Sequence, residues 1–157
     1  MIKLNNKNDN TLSQMYNILI EYLFITYPEF LSDRDKHDNK ILYQKWINMI
    51  KTEPGYNIIT YEEENKVLGF LNYQLINKEM WICEVQVKKE NKNQGILKKL
   101  LNEFFILNKK YKCVTIHINQ NNKTSRQVFT HIGFKYIGKT IYKINMQTLN
   151  NYLNNKL

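Results

Sequence analysis

The 157-residue sequence predicts an α+β fold, a three-layer sandwich in which a mixed, mostly antiparallel central sheet is flanked by helices. Three observations lead to it. Residues 56–88 hold three strand-like runs separated only by short polar turns. Residues 96–109 then switch to the apolar period of a helix, between two such strands. Two further helical stretches precede the first long strand. The length suits a single domain over residues 1–157, large enough to bury a real core.

Each element follows from local chemistry. "MIKL" reads as a short first strand. Asp9, Asn10 and Thr11 are able to cap a helix from Leu12 to Tyr27 with Leu12, Met15, Tyr16, Leu19 and Leu23 on one face, and Pro28 ends it. "SDRDKHDNK" is a charged loop into a second helix, Lys40 to Lys51, carrying Ile41, Leu42, Trp46, Ile47 and Ile50. "EPGY" is turn chemistry. "YNIITY", "KVLGFLNYQLI" and "EMWICEVQVKK" are strands joined by the turns "EEEN" and "NKEM", which favours an antiparallel meander. After the helix to Lys109 comes a fifth strand, "KCVTIHIN". A short helix, "KTSRQVFTHI", is stopped by Gly133. "FKYIGKTIYKIN" is one bent strand or two short ones with Gly138 at the bend, and "MQTLNNYLNNKL" is a terminal helix. The fourth strand, its helix and the fifth strand form a β-α-β unit, hence a parallel pair with a right-handed crossover.

With 43% hydrophobic residues and many aromatics, the chain is not disordered. It has no run of 18 apolar residues and no apolar leader in "MIKLNNKNDN", so a cytoplasmic protein without membrane partners is expected. Cys83 and Cys113 form no C-x-x-C pair and read as reduced core thiols, with no metal site. The net charge of +9 is uneven. Residues 1–79 hold 9 basic and 11 acidic side chains, a balance of −2, and residues 80–157 hold 14 and 3, a balance of +11. A basic second half suits a polyanion, either nucleic acid or a phosphate-bearing small molecule. An abundance of Lys and Asn throughout the chain is the plainer source of the total.

The most informative stretch is "KKENKNQGILKKLLNEFF", from Lys88 to Phe105. A polar run with one glycine opens a helix whose apolar face is Ile96, Leu97, Leu100, Leu101, Phe104 and Phe105. The first amide N–H groups of a helix lack intrahelical partners and sit at the positive end of its dipole. Glycine lets an anion approach that backbone closely. At the start of a β-α-β crossover helix, this is where α/β folds often hold phosphate.

These residues resemble the acyl-CoA-binding loop of the GNAT superfamily of N-acetyltransferases, Q/R-x-x-G-x-G/A after a strand ending in valine. The strand here is "CEVQV" and the loop runs Lys92, Asn93, Gln94, Gly95, Ile96, Leu97. A second signature of the family, N-x-x-S/A-x-x-x-Y/F-x-x-x-G-F, is complete in "NKTSRQVFTHIGF": Asn122, Ser125, Phe129, Gly133 and Phe134. The two occur in order and on matching elements. Two departures stand out. Lys92 keeps a donor but loses the guanidinium fork. Leu97 replaces a small residue, where it would crowd a pyrophosphate.

The resemblance implies a GNAT-like sheet splayed between strands 4 and 5, acetyl-CoA as co-substrate, and direct transfer of the acetyl group to a primary amine in a ternary complex. The backbone from Asn93 through Gln94, Gly95, Ile96 and Leu97 to Lys98 would cradle the pyrophosphate, with Lys92 and Lys98 adding charge. Val85, Gln86 and Val87 would pair with the pantetheine arm, and an N–H near Val85 would polarise the thioester carbonyl. Asn122, with Ser125 and Phe129 beside it, would contact the pantetheine, or Asn122 only caps its helix. Attack by an amine calls for a base, for which Glu84 on the fourth strand and His117 on the fifth are candidates. Phe129 stands where many relatives carry a tyrosine acid and has no proton to give.

The family's acceptor site draws on the first two helices, their loop and strand 4, which bring Tyr27, Glu29, Phe30, Asp33, Asp35, Asp38 and Trp81. Acids and aromatics suit a cationic amine, such as a polyamine or an aminoglycoside; a protein amine remains open. A homodimer is the assembly the resemblance implies. The competing reading is a catalytically degenerate module of the same fold that binds CoA or nucleic acid. No nucleic-acid motif and no stacking pattern among the lysines supports a nucleic-acid partner.

Overall fold

The computed structural model describes residues 1–26 and 33–155, and the side chains of residues 23–40 lie outside that description. In chain order the elements are β1 (Ile2–Leu4), α1 (Asp9–Thr26), α2 (Asp33–Thr52), β2 (Asn57–Glu63), β3 (Lys66–Ile76), β4 (Glu79–Val87), α3 (Ile96–Asn108), β5 (Cys113–His117), α4 (Lys123–Ile132), β6 (Lys135–Gly138), β7 (Ile141–Asn145) and α5 (Met146–Leu153). A 3-10 turn, Lys89–Asn91, links β4 to the loop before α3.

Seven strands form one sheet in the order β1-β2-β3-β4-β5-β7-β6. Every neighbouring pair is antiparallel except β4 and β5. The hairpins close on consecutive residues of positive φ: Glu64–Asn65, Asn77–Lys78 and Lys139–Thr140. Such turns match the twist of the strands they join. The last settles the "FKYIGKTIYKIN" segment as two strands, β6 and β7.

Two cores sandwich the sheet. One joins α3, α4 and α5 to it through Leu100, Leu101, Phe104, Phe129, Ile132 and Leu149. The other joins α1 and α2 to the opposite face through Leu12, Met15, Trp46, Ile47, Ile50 and Phe70. The three layers expected from the sequence are therefore present.

Three local readings need correction. The cap of α1 is Asn8, whose Oδ1 accepts the Thr11 N–H at 2.8 Å, so the helix starts at Asp9 rather than Leu12. Helix α2 begins at Asp33, inside the expected charged loop, because the apolar period that marks its second half has no counterpart in those polar turns. Cys83 is exposed rather than part of the core, while Cys113 is half-buried; both are free thiols. No helix among the described residues is long and apolar enough to cross a membrane.

Gly69 sets how closely α3 approaches the sheet. A Cβ there would lie 2.9 Å from Ile96 Cγ2 and 3.1 Å from the Gln86 carbonyl oxygen. Gly69→Ala is expected to cost about 1–3 kcal/mol by overpacking, seen as a lower Tm. An unchanged Tm would mean that Ile96 moves aside freely.

Candidate functional site

The site begins where β4 and β5 part. They pair through Met80–Val114, Trp81–Thr115 and Ile82–Ile116. Beyond Ile82, β4 continues to Val87 bonded to β3, while His117 pairs with Ile141 of β7. The backbone of β4 from Cys83 to Val87 thus borders a wedge on its β5 side, and Val85, Gln86 and Val87 there are half-buried. The loop before α3 and the start of α4 both follow the carboxyl ends of these parallel strands.

A bulge re-phases β4. Asn72 of β3 pairs with Glu84, but the next residue, Tyr73, pairs with Ile82, leaving Cys83 as the extra residue. Met80, Ile82, Val85 and Val87 pack on the α3 side of the sheet. In a regular strand, with Cys83 paired in its turn, Glu84 would lie two residues from Ile82 and share that apolar face. With Cys83 as the extra residue, Glu84 turns toward α1 and α2. Its carboxylate accepts the Trp46 indole N–H at 3.2 Å from each oxygen, and the Asn72 amide N–H at 2.7 Å on Oε2. Trp46 and Asn72 are both buried. Desolvation raises the Glu84 carboxyl to about 7, against the lowering effect of those two hydrogen bonds. Cys83 is exposed as a residue, yet its thiol lies against Tyr56 and Glu84 and is pushed up to about 11, by desolvation first and then by the Glu84 charge. It is no nucleophile at neutral pH. Burial likewise holds the Tyr56 phenol far above its ordinary value.

Sequence reasoning placed Trp46 only on an apolar helix face, and gave Asn72 and Tyr56 no role. A buried asparagine at a central position of the apolar run "VLGFLNYQL" was the available signal, since such a group calls for a partner.

The loop at α3 differs from the starts of α1, α4 and α5. Asparagine side chains cap α1, α4 and α5. Helix α3 starts on Gly95, with φ +76°, and no side chain caps it. Asn93 is also left-handed, with φ +64°. A Cβ on Gly95 would meet nothing within 4 Å, so the space over the helix mouth is open. Gln94 is tied into the loop, accepting from Asn91 and donating to the Glu90 carbonyl. Lys92 is exposed at the rim. Lys98 points instead to the end of α5, donating to Asn155 at 2.7 Å with its ammonium 5.8 Å from the Tyr152 ring centre. Ile96 is buried. Leu97 packs against the α3-side core, so its side chain does not stand over the helix mouth as the sequence suggested. Leu97→Gly is accordingly expected to cost stability, at least the ~1 kcal/mol of a helix glycine, and, should the loop hold CoA as the resemblance implies, to change that affinity by less than about threefold, under 0.7 kcal/mol. Thermal melts and calorimetry on one preparation read both.

At α4, Asn122 Oδ1 accepts the Ser125 N–H at 3.0 Å, so Asn122 is the helix cap. Its Nδ2 donates to the Tyr22 hydroxyl of α1, bringing that helix to the mouth of the wedge. Phe129 is buried and meets Phe134 edge-on at 5.3 Å. Gly133, with φ +116°, stops α4 and donates to the carbonyls of Phe129 and Thr130, while Phe134 N–H also reaches Phe129. The second signature is therefore largely a cap, a core ring and a helix stop. Val114 and Ile116 face the α3 side, so strand alternation puts His117 on the same face as Glu84, across the wedge. His117 is exposed, with Nε2 in contact with the Thr140 hydroxyl. Trp81 is half-buried on that same face, two positions before the bulge. Tyr27 and Phe30 lie outside the described residues, and Asp33, Asp35 and Asp38 belong to α2 with undescribed side chains.

The model of the acetyltransferase (GNAT) domain matches residues 29–150. The chain belongs to the GNAT acetyltransferase family. Solved GNAT structures share the fold at low identity. The PaiA N-acetyltransferase of Thermoplasma acidophilum, in complex with coenzyme A, is 16% identical with a TM-score of 0.70, over 92% of this chain and 99% of that one. An aminoglycoside 6'-N-acetyltransferase, also complexed with coenzyme A, is 10% identical with a TM-score of 0.69, over 93% and 97%. An acetyltransferase of Thermus thermophilus is 13% identical with a TM-score of 0.72, over 92% and 97%. Among curated protein sequences none matches.

Proposed function

We propose that this GNAT protein is an acetyl-CoA-dependent N-acetyltransferase that acetylates a primary amine by direct attack. The observation that carries the reading is the half-buried Glu84 carboxylate, turned by the Cys83 bulge onto the face beside the β4–β5 wedge and raised to about 7. A base for amine chemistry works best with a pKa near the working pH.

The residues fit the co-substrate. The uncapped N-terminus of α3, open above Gly95, suits a pyrophosphate. The free side of β4 at Val85 to Val87 suits the amides of a pantetheine arm. Acetyl-CoA supplies an activated thioester carbonyl. Glu84 takes a proton from the amine as nitrogen bonds to the carbonyl carbon and the carbon–sulfur bond breaks. The thiolate needs no acid to leave, in keeping with Phe129 in the tyrosine position. Lys98 is assigned to α5 rather than to the phosphates. The acceptor is a cationic amine, small or on a protein; the neighbouring aminoglycoside enzyme makes aminoglycosides one class to try.

An amine-panel assay read by thiol release tests this, alongside calorimetry with acetyl-CoA. Binding near or below the micromolar range with turnover on at least one amine is expected. No binding of acetyl-CoA or CoA at millimolar concentration would defeat the reading.

A further inference from the structure

We propose that Trp46 and Asn72 are positioning residues that clamp Glu84 so that Oε1 is the oxygen that receives the proton. The inference rests on Glu84 as the base. A carboxylate has acceptor sites on both oxygens and no donor. Oε2 is held twice, by the Asn72 amide at 2.7 Å and by the indole at 3.2 Å, while Oε1 has only its share of the indole N–H at 3.2 Å. A proton on Oε2 would have to compete with the shorter bond. Oε1 keeps a free lone pair. Because Glu84 only accepts, Asn72 must present its Nδ2, which fixes its amide in one orientation.

The clamp spans three elements. Trp46 comes from α2 and is fixed in turn by Tyr16 of α1, whose ring centre lies 5.6 Å away. Asn72 comes from β3 and is fully buried. The Tyr56 phenol and the Cys83 thiol, which lie against this cluster, and the Tyr16 phenol packed on Trp46 are all raised by burial and stay protonated at neutral pH. His117 shares the face across the wedge, and Glu53 acts on the Cys83 thiol. A signal at the clamp must therefore be shown to belong to Glu84.

The test uses the full chain labelled with 15N. The two indole resonances are assigned with Trp81→Phe, and the Trp46 N–H is followed from pH 5 to pH 9. It is expected to titrate in one step, lost in Glu84→Gln and kept in His117→Gln. On the active amine, Trp46→Phe should move the acidic limb of the kcat profile up by about half to one pH unit, since it removes one hydrogen bond to the charged form. KM should change by less than about threefold. Asn72→Leu should act in the same direction. An indole that does not titrate, or an acidic limb unmoved in Trp46→Phe, overturns the clamp. If neither Trp46→Phe nor Asn72→Leu folds, the indole titration in the wild type, compared with Glu84→Gln and His117→Gln, still decides whether the indole is held by the Glu84 carboxylate. An indole that follows Glu84 in a protein that acetylates no amine would leave the clamp standing and remove the proposed reaction.

Discussion

Glu84→Gln is expected to lower turnover by about 10²–10⁴-fold, the usual cost of losing a general base, while acetyl-CoA affinity stays nearly unchanged. The side chain lies on the α1–α2 face of β4, away from the α3 mouth where the phosphates would sit. In the wild type, turnover should rise with pH through about 7 as Glu84 loses its proton. His117→Gln is the control, since His117 shares the face and is exposed against Thr140. If His117→Gln removes activity and its acidic limb while Glu84→Gln keeps both, the base is His117.

The same substitution has a stability signature of opposite sign. A carboxyl whose folded pKa is raised binds its proton more tightly folded than unfolded. Its favourable contribution is complete below the ordinary value of 4.5 and is lost as pH rises to about 7. The wild type should therefore lose on the order of 2–3 kcal/mol across that window, and Glu84→Gln should not. Glutamine is not a perfect replacement, because its neutral oxygen accepts more weakly and the NH2 that stands in place of Oε1 sets donor against donor at the Trp46 indole. So the Glu84→Gln variant should melt below the wild type at pH 5 and close the gap, or reverse it, by pH 8. Parallel Tm curves would mean that Glu84 is not held at a raised pKa.

How much of this was legible in the sequence depends on whether the chemistry was local. The hairpin turns at Glu64–Asn65 and Asn77–Lys78 and the helix stop at Gly133 follow from residues within four positions of one another, whereas the Lys139–Thr140 turn and the Asn122 cap are each one of two readings the sequence allows. The parallel β4–β5 pair followed from the helix between them. The bulge at Cys83 did not, because an extra residue is defined by the partner strand and "WICEVQV" alternates plausibly in either phase. That one residue decides which face Glu84 occupies. The clamp was hidden for a similar reason. Trp46 lies 38 positions from Glu84 and its spacing with Ile47 and Ile50 is satisfied by a core helix. Leu97 looked like an obstruction because the sequence gives its position in a motif, not the direction of its side chain; the core it packs against is built from distant strands. The Lys98 contact was equally out of reach of the sequence, since its partner Asn155 lies 57 residues away.

Gly95→Asp is expected to weaken acetyl-CoA binding by at least about 100-fold. The variant should still fold. A Cβ at Gly95 meets nothing within 4 Å, and aspartate is among the residues that tolerate a left-handed φ of +76°. A loss of binding therefore cannot be put down to collapse of the loop. The new carboxylate would stand in the open space above the first turn of α3, where the uncapped N–H groups and the positive end of the helix dipole favour an anion. The aspartate would satisfy those N–H groups itself, as a helix cap does, and so compete for the site as well as repel its ligand. Two like charges about 4 Å apart near a protein surface repel by roughly 4 kcal/mol at an effective dielectric constant of about 20. At about 1.4 kcal/mol per tenfold, even a screened fraction of that reaches two orders of magnitude. Gly95→Asn separates shape from charge, since it carries the same branching without the charge. It should lose much less affinity, and the deficit of Gly95→Asp alone should shrink as ionic strength rises. Equal losses in the two variants would point to steric exclusion. Undiminished binding in both would place the pyrophosphate away from α3 and leave the glycine with only its turn to explain it.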